Sequence, residues 1–211
     1  MIEAAPKILY ILGYSGHAYT VIDVALSNDF SIRGYFDTKK NVIDPYRLHF
    51  LGYEHETNIK KITKEAYVFA SIGSNVLRRK TIDFIEANAL NQILLVDPSA
   101  SVSSMALIGD STLIAPKAVI NSMAVIGKGC IVNSGALIEH ECKIGDFTHI
   151  APGAVLAGDV TVGSNVFVGA NSVIKQGVTI GNDVVIGAGA VILRNIPDGQ
   201  TWVGNPGKMI S

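Results

Sequence analysis

The chain has 211 residues, of which 48% are hydrophobic and 17% charged, and its formal net charge at pH 7 is −1. This length accommodates one large domain or two modest ones, each with its own core. The near-neutral charge and the lack of a basic block argue against nucleic acid as a partner. No apolar run reaches the ~18 residues that a membrane span needs.

The N-terminus and the cysteines indicate the compartment. The N-terminus lacks the charged region and long apolar segment of a secretory signal, so we expect a cytoplasmic protein. Cys130 and Cys142 occupy small inward positions of the repeat described below, on different faces. We therefore expect two buried, reduced thiols, and neither a disulfide nor a metal pair.

A strand, a glycine loop and a helix open the chain. Residues 7–12 (KILYIL) are typical of a buried strand, and helical periodicity follows from residue 18. The loop between them contributes Gly13, Ser15, Gly16 and His17. This is the opening of a Rossmann-like βαβ unit, where amides at a helix N-terminus hold phosphate. No third glycine follows, so a tight structural turn fits the spacing nearly as well.

Two further strands end in candidate binding residues. The strand over 31–36 ends in Asp37, at a point where an acidic residue often meets a ribose or a base, although a solvated turn is the alternative. The strand over 67–73 ends in Gly73. Because Gly13, Asp37 and Gly73 all follow strand carboxyl ends, one crevice could gather the three loops.

A helix and a fourth strand complete the predicted N-terminal domain. The helix covers residues 76–90, with Arg78, Arg79 and Lys80 on a solvated stretch, and the strand covers 91–97, before Pro98. We therefore predict a Rossmann-like α/β domain over 1–97 and an all-β domain over 98–211.

A six-residue repeat organises the rest of the chain. Every sixth residue is aliphatic at Val102, Ile108, Ile114, Ile120, Ile126, Val132, Ile138, Ile144, Ile150, Leu156, Val162, Val168, Ile174, Ile180, Ile186 and Ile192. A second period of eighteen, marked by a recurring glycine, makes three hexads one coil. This pattern predicts a parallel β-helix with three faces, inward aliphatic side chains and corner glycines that permit unusual backbone angles.

Two outward rows of this β-helix are also apolar. One row is Val119, Leu137, Val155, Val173 and Val191; the other is Leu113, Ile131, His149, Phe167 and Val185. A monomer seldom exposes so much contiguous apolar surface. Three-fold self-association would cover it.

The β-helix has two histidines that could do chemistry. His140 precedes Glu141 at an outward turn, and the eighteen-residue step from His140 reaches Gly158 in the next coil. His149 interrupts an apolar row, and Asn133 is a polar residue near that face. An exposed turn histidine is common, but a neighbouring carboxylate favours a functional role.

These residues resemble a known family. The segments GYSGHA, FD, SIGSN, NSGALIEHECKIGDFTHIAPGAVLAGDV and GNPGK are similar to the sugar O- and N-acyltransferases that include sialic acid O-acetyltransferases and the bacillosamine-pathway acetyltransferase. The resemblance implies a left-handed β-helix, a homotrimer, and acetyl-CoA as cosubstrate with no metal.

The resemblance also implies roles for individual residues. His140 would be the catalytic base, assisted by Glu141, and the Gly158 amide would meet the thioester carbonyl. The acetyl donor would bind near His149, Gly158, Ala151, Gly169 and Gly187. The sugar nucleotide would bind near Gly13, Ser15, Gly16, His17, Asp37, Gly73 and Asn133.

The leading functional hypothesis is N-acetylation of a UDP-linked 4-amino-dideoxy sugar. The Glu-Cys pair after His140 resembles the nucleotide-amino-sugar N-acetyltransferases more than the His-Asp pair of many O-acetylating members. This resemblance favours an amine acceptor over the O-acetylation of a sialic acid or related sugar. A non-catalytic nucleotide-sugar-binding protein is an alternative of another class. A zinc enzyme of the γ-carbonic anhydrase type needs three imidazoles, and the β-helix holds two. Gly207, in GNPGK, replaces a commoner alanine in the terminal segment.

Overall fold

The computed structural model describes residues 7–211 and shows an α/β unit joined to a parallel β-helix. In the α/β unit, β1 (Lys7–Leu12) lies between β2 (Phe30–Phe36) and β3 (Tyr67–Ala70), and all three strands are parallel. The helices are α1 (Gly16–Leu26), α2 (Ile59–Thr63) and α3 (Asn75–Ala87). The first three predicted strands and both longer helices are therefore confirmed, with small shifts at their ends.

The β-helix consists of short strands that form three sheets, in which every pairing is parallel except that of the last two strands of the chain. The covered face contains β4 (Leu95–Val96), β7 (Leu113–Ile114), β10 (Ile131–Val132), β13 (His149–Ile150), β16 (Phe167–Val168), β19 (Val185–Ile186), β21 (Thr201–Val203) and β22 (Lys208–Met209). The ridge face contains β5 (Ser101–Val102), β8 (Val119–Ile120), β11 (Leu137–Ile138), β14 (Val155–Leu156), β17 (Val173–Ile174) and β20 (Val191–Ile192). The open face contains β6 (Leu107–Ile108), β9 (Val125–Ile126), β12 (Lys143–Ile144), β15 (Thr161–Val162) and β18 (Thr179–Ile180).

The register between coils confirms the eighteen-residue period. Leu137 pairs with Val155, and Ile131 pairs with His149. The second residue of each strand points inward, as Ile138 and Leu156 show by their complete burial. Each such side chain contributes roughly 1.5–3 kcal/mol by burial, so the repeat itself supplies the core.

The recurring glycines are needed for a reason that differs from the one expected. A side chain on Gly145 would place its Cβ 2.6 Å from the Gly163 carbonyl carbon in the next coil. Close stacking of backbones therefore requires these glycines. The left-handed corner angles are instead adopted elsewhere, often by non-glycine residues such as Glu141 (φ 63°) and Phe147 (φ 59°).

The predicted fourth strand of the N-terminal sheet is wrong. Leu95 and Val96 pair with Leu113 and Ile114, so β4 is the first rung of the covered face. Stepping six residues back from Val102 reaches Val96, and the hexad series thus begins one landing earlier than we expected. Near this segment, Asn91 makes an isolated bridge to Tyr67 of β3.

The covered face is closed by the protein's own α/β unit. Leu113 (0% exposed) and Ile131 (1%) share a core cluster with α1 side chains such as Val21. Self-association is therefore not needed to bury this end of the row. The ridge face has no such cover from the described residues, and Val173 remains 39% exposed.

The last strands of the chain cap the end of the β-helix. Trp202 is 5% exposed and belongs to the core cluster of the β-helix. Its strand pairs with β19 on one side and with β22 on the other. Within residues 7–211, no helix combines the length and apolar character needed to cross a membrane.

Gly207 gives a test of how tightly this cap is packed. A Cβ at Gly207 would lie 2.7 Å from Ile192 Cδ1 and 3.1 Å from the Val191 carbonyl oxygen. We expect Gly207→Ala to lower the free energy of unfolding by about 1–2 kcal/mol through overpacking. Ile192→Val removes the clashing methyl group, so the double variant should lose less than the sum of the single variants in denaturant melts. Additive losses would contradict this account of the cap.

Candidate functional site

The three strand ends of the α/β unit form a crevice. The Gly13 amide donates to the Phe36 carbonyl (2.8 Å), and the Tyr14 amide donates to Asp37 Oδ2 (2.9 Å). Gly13 has φ 88°, and a Cβ there would lie 2.6 Å from Ile72 Cγ1. Gly13, Asp37 and the loop after β3 are therefore brought together as predicted.

A cavity of about 420 Å³ opens from these strand ends. Its lining includes Gly13, Ser15, Asp37, Tyr53, Glu54 and Lys80. Glu54 and Lys80 were not among the predicted binding residues. They follow no strand end, so the topological rule that singled out Asp37 could not find them.

The N-terminus of α1 faces open space. Ser15 is the N-cap residue, and its side chain makes no capping hydrogen bond. A Cβ on Gly16 would meet no atom within 4 Å. The first amides of the helix are thus accessible, which suits an anionic group such as phosphate.

The half-buried His17 and the buried His149 meet beside the crevice. The ring centroids of His17 and His149 are 6.4 Å apart, and Asn133 Nδ2 lies 3.2 Å from His149 Nε2. Gly73 stands against His17, because a Cβ there would be 3.7 Å from the His17 Cβ. One cluster therefore contains His17, Gly73, Asn133 and His149. Their predicted roles in binding the substrate and the acetyl donor require them to lie close together.

Burial keeps both imidazoles uncharged. Desolvation, followed by the charge of Arg78, lowers the pKa of His17 to about 4 and that of His149 to about 4. His17 Nε2 and His149 Nδ1 are buried without a hydrogen-bond partner among the described residues. Each neutral ring thus keeps one ring nitrogen whose hydrogen-bonding capacity is unused among the described residues.

Arg78 does not lie on a solvated stretch, contrary to the sequence-based expectation. It is 1% exposed and lies on the buried side of α3 with Thr81, Ile82 and Ile85. Its spacing of four residues from Ile82 was the signal that could have placed it on the inner face.

His140 and Glu141 form a second candidate centre, at the corner that follows the ridge face. His140 Nδ1 lies 3.0 Å from Glu141 Oε2, and both side chains are more than half exposed. The Glu141 amide donates to the Ser122 carbonyl of the preceding coil (3.0 Å). This pairing leaves the His140 Nε2 atom as the one available for proton transfer.

Gly158 lies directly against the imidazole ring of His140. A Cβ at this position would lie 2.6 Å from His140 Cε1 and 2.7 Å from its Nε2. The backbone next to Gly158 is held in place, because the Asp159 amide donates to the His140 carbonyl (2.9 Å). Any side chain at Gly158 would displace the ring, so the adjacency inferred from the eighteen-residue step is confirmed.

The two centres lie at different corners of one chain. The ridge-face strand β11 separates Asn133 from His140, and the open-face strand β12 separates His140 from His149. Within one chain, His140 and the His149 cluster therefore lie on different sides of the coil.

Ala151, Gly169 and Gly187 form a column along the covered face at eighteen-residue spacing. The Ala151 amide donates to Val168, and the Gly169 amide donates to Ile186, each at 2.8 Å. A Cβ on Gly169 would lie 2.5 Å from the Ala188 nitrogen. Coil stacking therefore accounts for Gly169, and the predicted contact of the column with the acetyl donor stays a prediction.

The cysteines are unsuited to nucleophilic attack. Cys130 and Cys142 are buried, and each thiol donates to a backbone carbonyl at 3.2 Å. Burial raises the pKa of Cys130 to about 12 and also raises the pKa of Cys142. Within residues 7–211, no group of three or more His, Cys, Asp or Glu residues is arranged to hold a metal ion.

The buried histidines predict a specific loss of stability in acid. Their folded-state pKa of about 4 lies below the ordinary value of 6.5, so the unfolded chain binds more protons between these values. The stability they contribute is complete above pH 6.5 and falls as the pH drops towards 4, at about 1.4 kcal/mol per pKa unit. The loss of melting temperature between pH 7.5 and 4.5 should be smaller in a His17→Asn/His149→Asn variant. An equal loss in both proteins would contradict the buried neutral state.

Comparison with known families matches both parts of the chain. The PglD N-terminal domain family matches residues 8–85. The bacterial transferase hexapeptide family matches residues 123–158, 141–176 and 159–194. A comparison with curated protein sequences gives no match.

Solved structures resemble nearly the whole chain. The acetyltransferase domain of PglB from Neisseria gonorrhoeae FA1090, in complex with acetyl coenzyme A, is 30% identical with a TM-score of 0.90, over 98% of this chain and 100% of that one. PerB from Caulobacter crescentus, in complex with CoA and GDP-perosamine, is 30% identical with a TM-score of 0.91, over 96% of this chain and 97% of that one. The present chain belongs to the same family of left-handed β-helix enzymes with a PglD-type N-terminal domain, and it is an acetyl-CoA-dependent sugar acetyltransferase.

Proposed function

We propose that this protein is an N-acetyltransferase that uses acetyl-CoA to acetylate the amino group of a nucleotide-linked 4-amino-dideoxy sugar. The observation that carries the proposal is the His140–Glu141 pair, whose imidazole lies on Gly158 with its Nε2 atom free for proton transfer. The crevice at Gly13, Gly16 and Asp37 supplies a place for the nucleotide.

The reaction proceeds by direct attack. The sugar amine attacks the thioester carbon, and its proton passes to His140 Nε2 as the new C–N bond forms. Collapse of the intermediate breaks the C–S bond, and the proton on His140 passes to the departing thiolate of CoA. The buried, protonated state of Cys130 and Cys142 supports direct transfer over an acetyl-cysteine intermediate.

Glu141 and Gly158 assist this proton transfer. Glu141 holds the His140 Nδ1 atom, which fixes the ring's tautomer and stabilises its protonated form. The Gly158 amide, one coil away at roughly 4.8 Å, donates to the developing oxyanion. His149 and Asn133 bind the acetyl donor or position the acceptor.

The working unit is a homotrimer with active sites between subunits. The corner that carries His140 and the cluster that carries His149 lie apart within one chain, so each needs a second copy to face the other. The exposed apolar row that includes Leu137, Val155 and Val173 is the surface that such an assembly would bury. We therefore place the interface between subunits on the ridge face.

The proposal also specifies the base of the nucleotide and the atom that accepts the acetyl group. The sequence resemblance favours uridine, whereas the solved structure of PerB contains a guanosine diphosphate sugar. O-acetylation of a sialic acid is the competing activity within the same class. CoA release should therefore be measured with UDP- and GDP-linked 4-amino sugars and with free sialic acid. Transfer to an amino sugar nucleotide supports the proposal, and transfer to sialic acid alone contradicts it.

The general base can be tested by replacement. A positioned base typically contributes about 10²–10⁴ in rate, so His140→Ala should lower kcat by a factor in that range. Glu141→Gln should cost less, because it affects the orientation of the ring. His49→Ala replaces an exposed histidine of the α/β unit and serves as the matched control. A His140→Ala protein with the mass of the wild-type assembly and most of its kcat would remove His140 from the mechanism.

A further inference from the structure

Arg78 joins the α/β unit to the β-helix with every N–H group of its guanidinium. Nε donates to the Gly129 carbonyl (2.7 Å), and Nη1 donates to the carbonyls of Ile72 (3.2 Å) and Gly73 (3.1 Å). Nη2 donates to Asn75 Oδ1 (2.8 Å) and to the Phe147 carbonyl (2.8 Å). The side chain thus connects the loop after β3 with two consecutive coils.

Burying the charge of Arg78 in this way costs desolvation free energy. Arg78 is 1% exposed, and no carboxylate among residues 7–211 forms an ion pair with it. Burial lowers its pKa to about 10, which still leaves it charged at neutral pH. Carbonyl dipoles replace water around the charge, and only the five-donor fork of arginine can satisfy them together.

The acceptors of Arg78 lie next to the paired histidines. Phe147 is two residues before His149 on the same coil, and Gly73 packs against His17. Asn75 extends the connection, since its Nδ2 donates to the Val166 carbonyl of the following coil (3.0 Å). The Arg78 guanidinium, together with Asn75, therefore ties the segment that carries His149 to the loop that packs against His17.

We propose that Arg78 is a positioning residue of the acetyl-transfer site, which acts by holding His17 and His149 together beside the crevice. This inference rests on the proposed function, because it assumes that these two rings bind the reactants. Arg78 itself is 1% exposed and does not line the cavity.

The charge of Arg78 has a second effect on the same rings. After burial, it is the next cause of the lowered pKa of His17 and of His149, and His17 also lowers the pKa of His149. The groups that face each ring are Arg78 from α3 and the other histidine, while Asn133 adds an uncharged amide. Neutral rings hydrogen-bond to uncharged groups, such as a thioester or amide carbonyl or a sugar hydroxyl, without attracting an anion.

Two replacements separate the positioning effect from the charge effect. Arg78→Met removes both the donors and the charge, whereas Arg78→Lys keeps the charge but offers only three donors. Arg33→Met is the matched control, since Arg33 is an exposed arginine of β2 in the same α/β unit. Each protein is titrated by NMR at the histidine Cε1–H groups, and kcat/KM is measured between pH 5.5 and 9.

In Arg78→Met, the pKa values of His17 and His149 should rise, because the positive charge is gone and water enters the space it leaves. Misplacement of reacting groups by about 1 Å costs up to about 100-fold, so we expect kcat/KM at pH 6.5 to fall 10- to 100-fold and to recover partly at pH 8.5. Arg78→Lys should keep the low histidine pKa values and lose activity at every pH.

The outcomes distinguish positioning from a purely structural role. Unmoved histidine titrations and an unchanged pH profile in Arg78→Met, even with a lower melting temperature, would overturn the proposal. If Arg78→Met does not fold, Arg78→Lys decides, because wild-type kcat/KM in that variant would also overturn it. The NMR titration does not depend on which acceptor is correct, so failure of the proposed function is seen separately, as absence of acetyl transfer in the wild-type protein.

Discussion

The stacking of backbone on backbone every eighteen residues is the constraint on which the rest of the structure depends. Each coil hydrogen-bonds to the next through parallel two-residue strands, such as β11 with β14. Inward aliphatic side chains fill the prism, and glycines such as Gly145 let adjacent coils approach. Position within the hexad therefore decides the chemistry available to a residue: His140 lies at an exposed corner, whereas His149 lies in a sheet that the α/β unit covers.

The α/β unit covers part of one face of this prism, next to the proposed binding site. Its apolar contacts bury Leu113 and Ile131 of the covered face, and Arg78 ties the loop at Gly73 to the coils beneath. The result is a cluster of neutral imidazoles beside a cavity with an accessible helix N-terminus. His140, which we propose as the general base, lies outside this cluster, and our proposal therefore links catalysis to assembly.

Much of this could be predicted from the sequence because the repeat leaves little freedom. The hexad series fixed the inward residues, and one eighteen-residue step placed Gly158 on His140. The failures have physical causes. The apolar stretch before Pro98 is compatible with a strand of the N-terminal sheet or with a strand of the β-helix. The pairing of β4 with Leu113 places it in the β-helix. Arg78 is charged, and a charged side chain is expected to face solvent. In the structure, five carbonyl and amide acceptors hold it in the interior. The corner angles at Glu141 and Phe147 are imposed by the coil and override their local preferences.

Subunit complementation tests the central claim, that the His140 corner of one subunit completes the crevice of another. His140→Ala and His17→Ala/His149→Ala chains would be unfolded together, refolded as mixed assemblies and assayed with acetyl-CoA and an amino sugar nucleotide. With random assortment, each interface pairs an intact His140 with an intact crevice in about a quarter of cases, so the mixture should recover roughly a quarter of wild-type activity. A mixture no more active than the average of its two inactive parents would contradict the shared site.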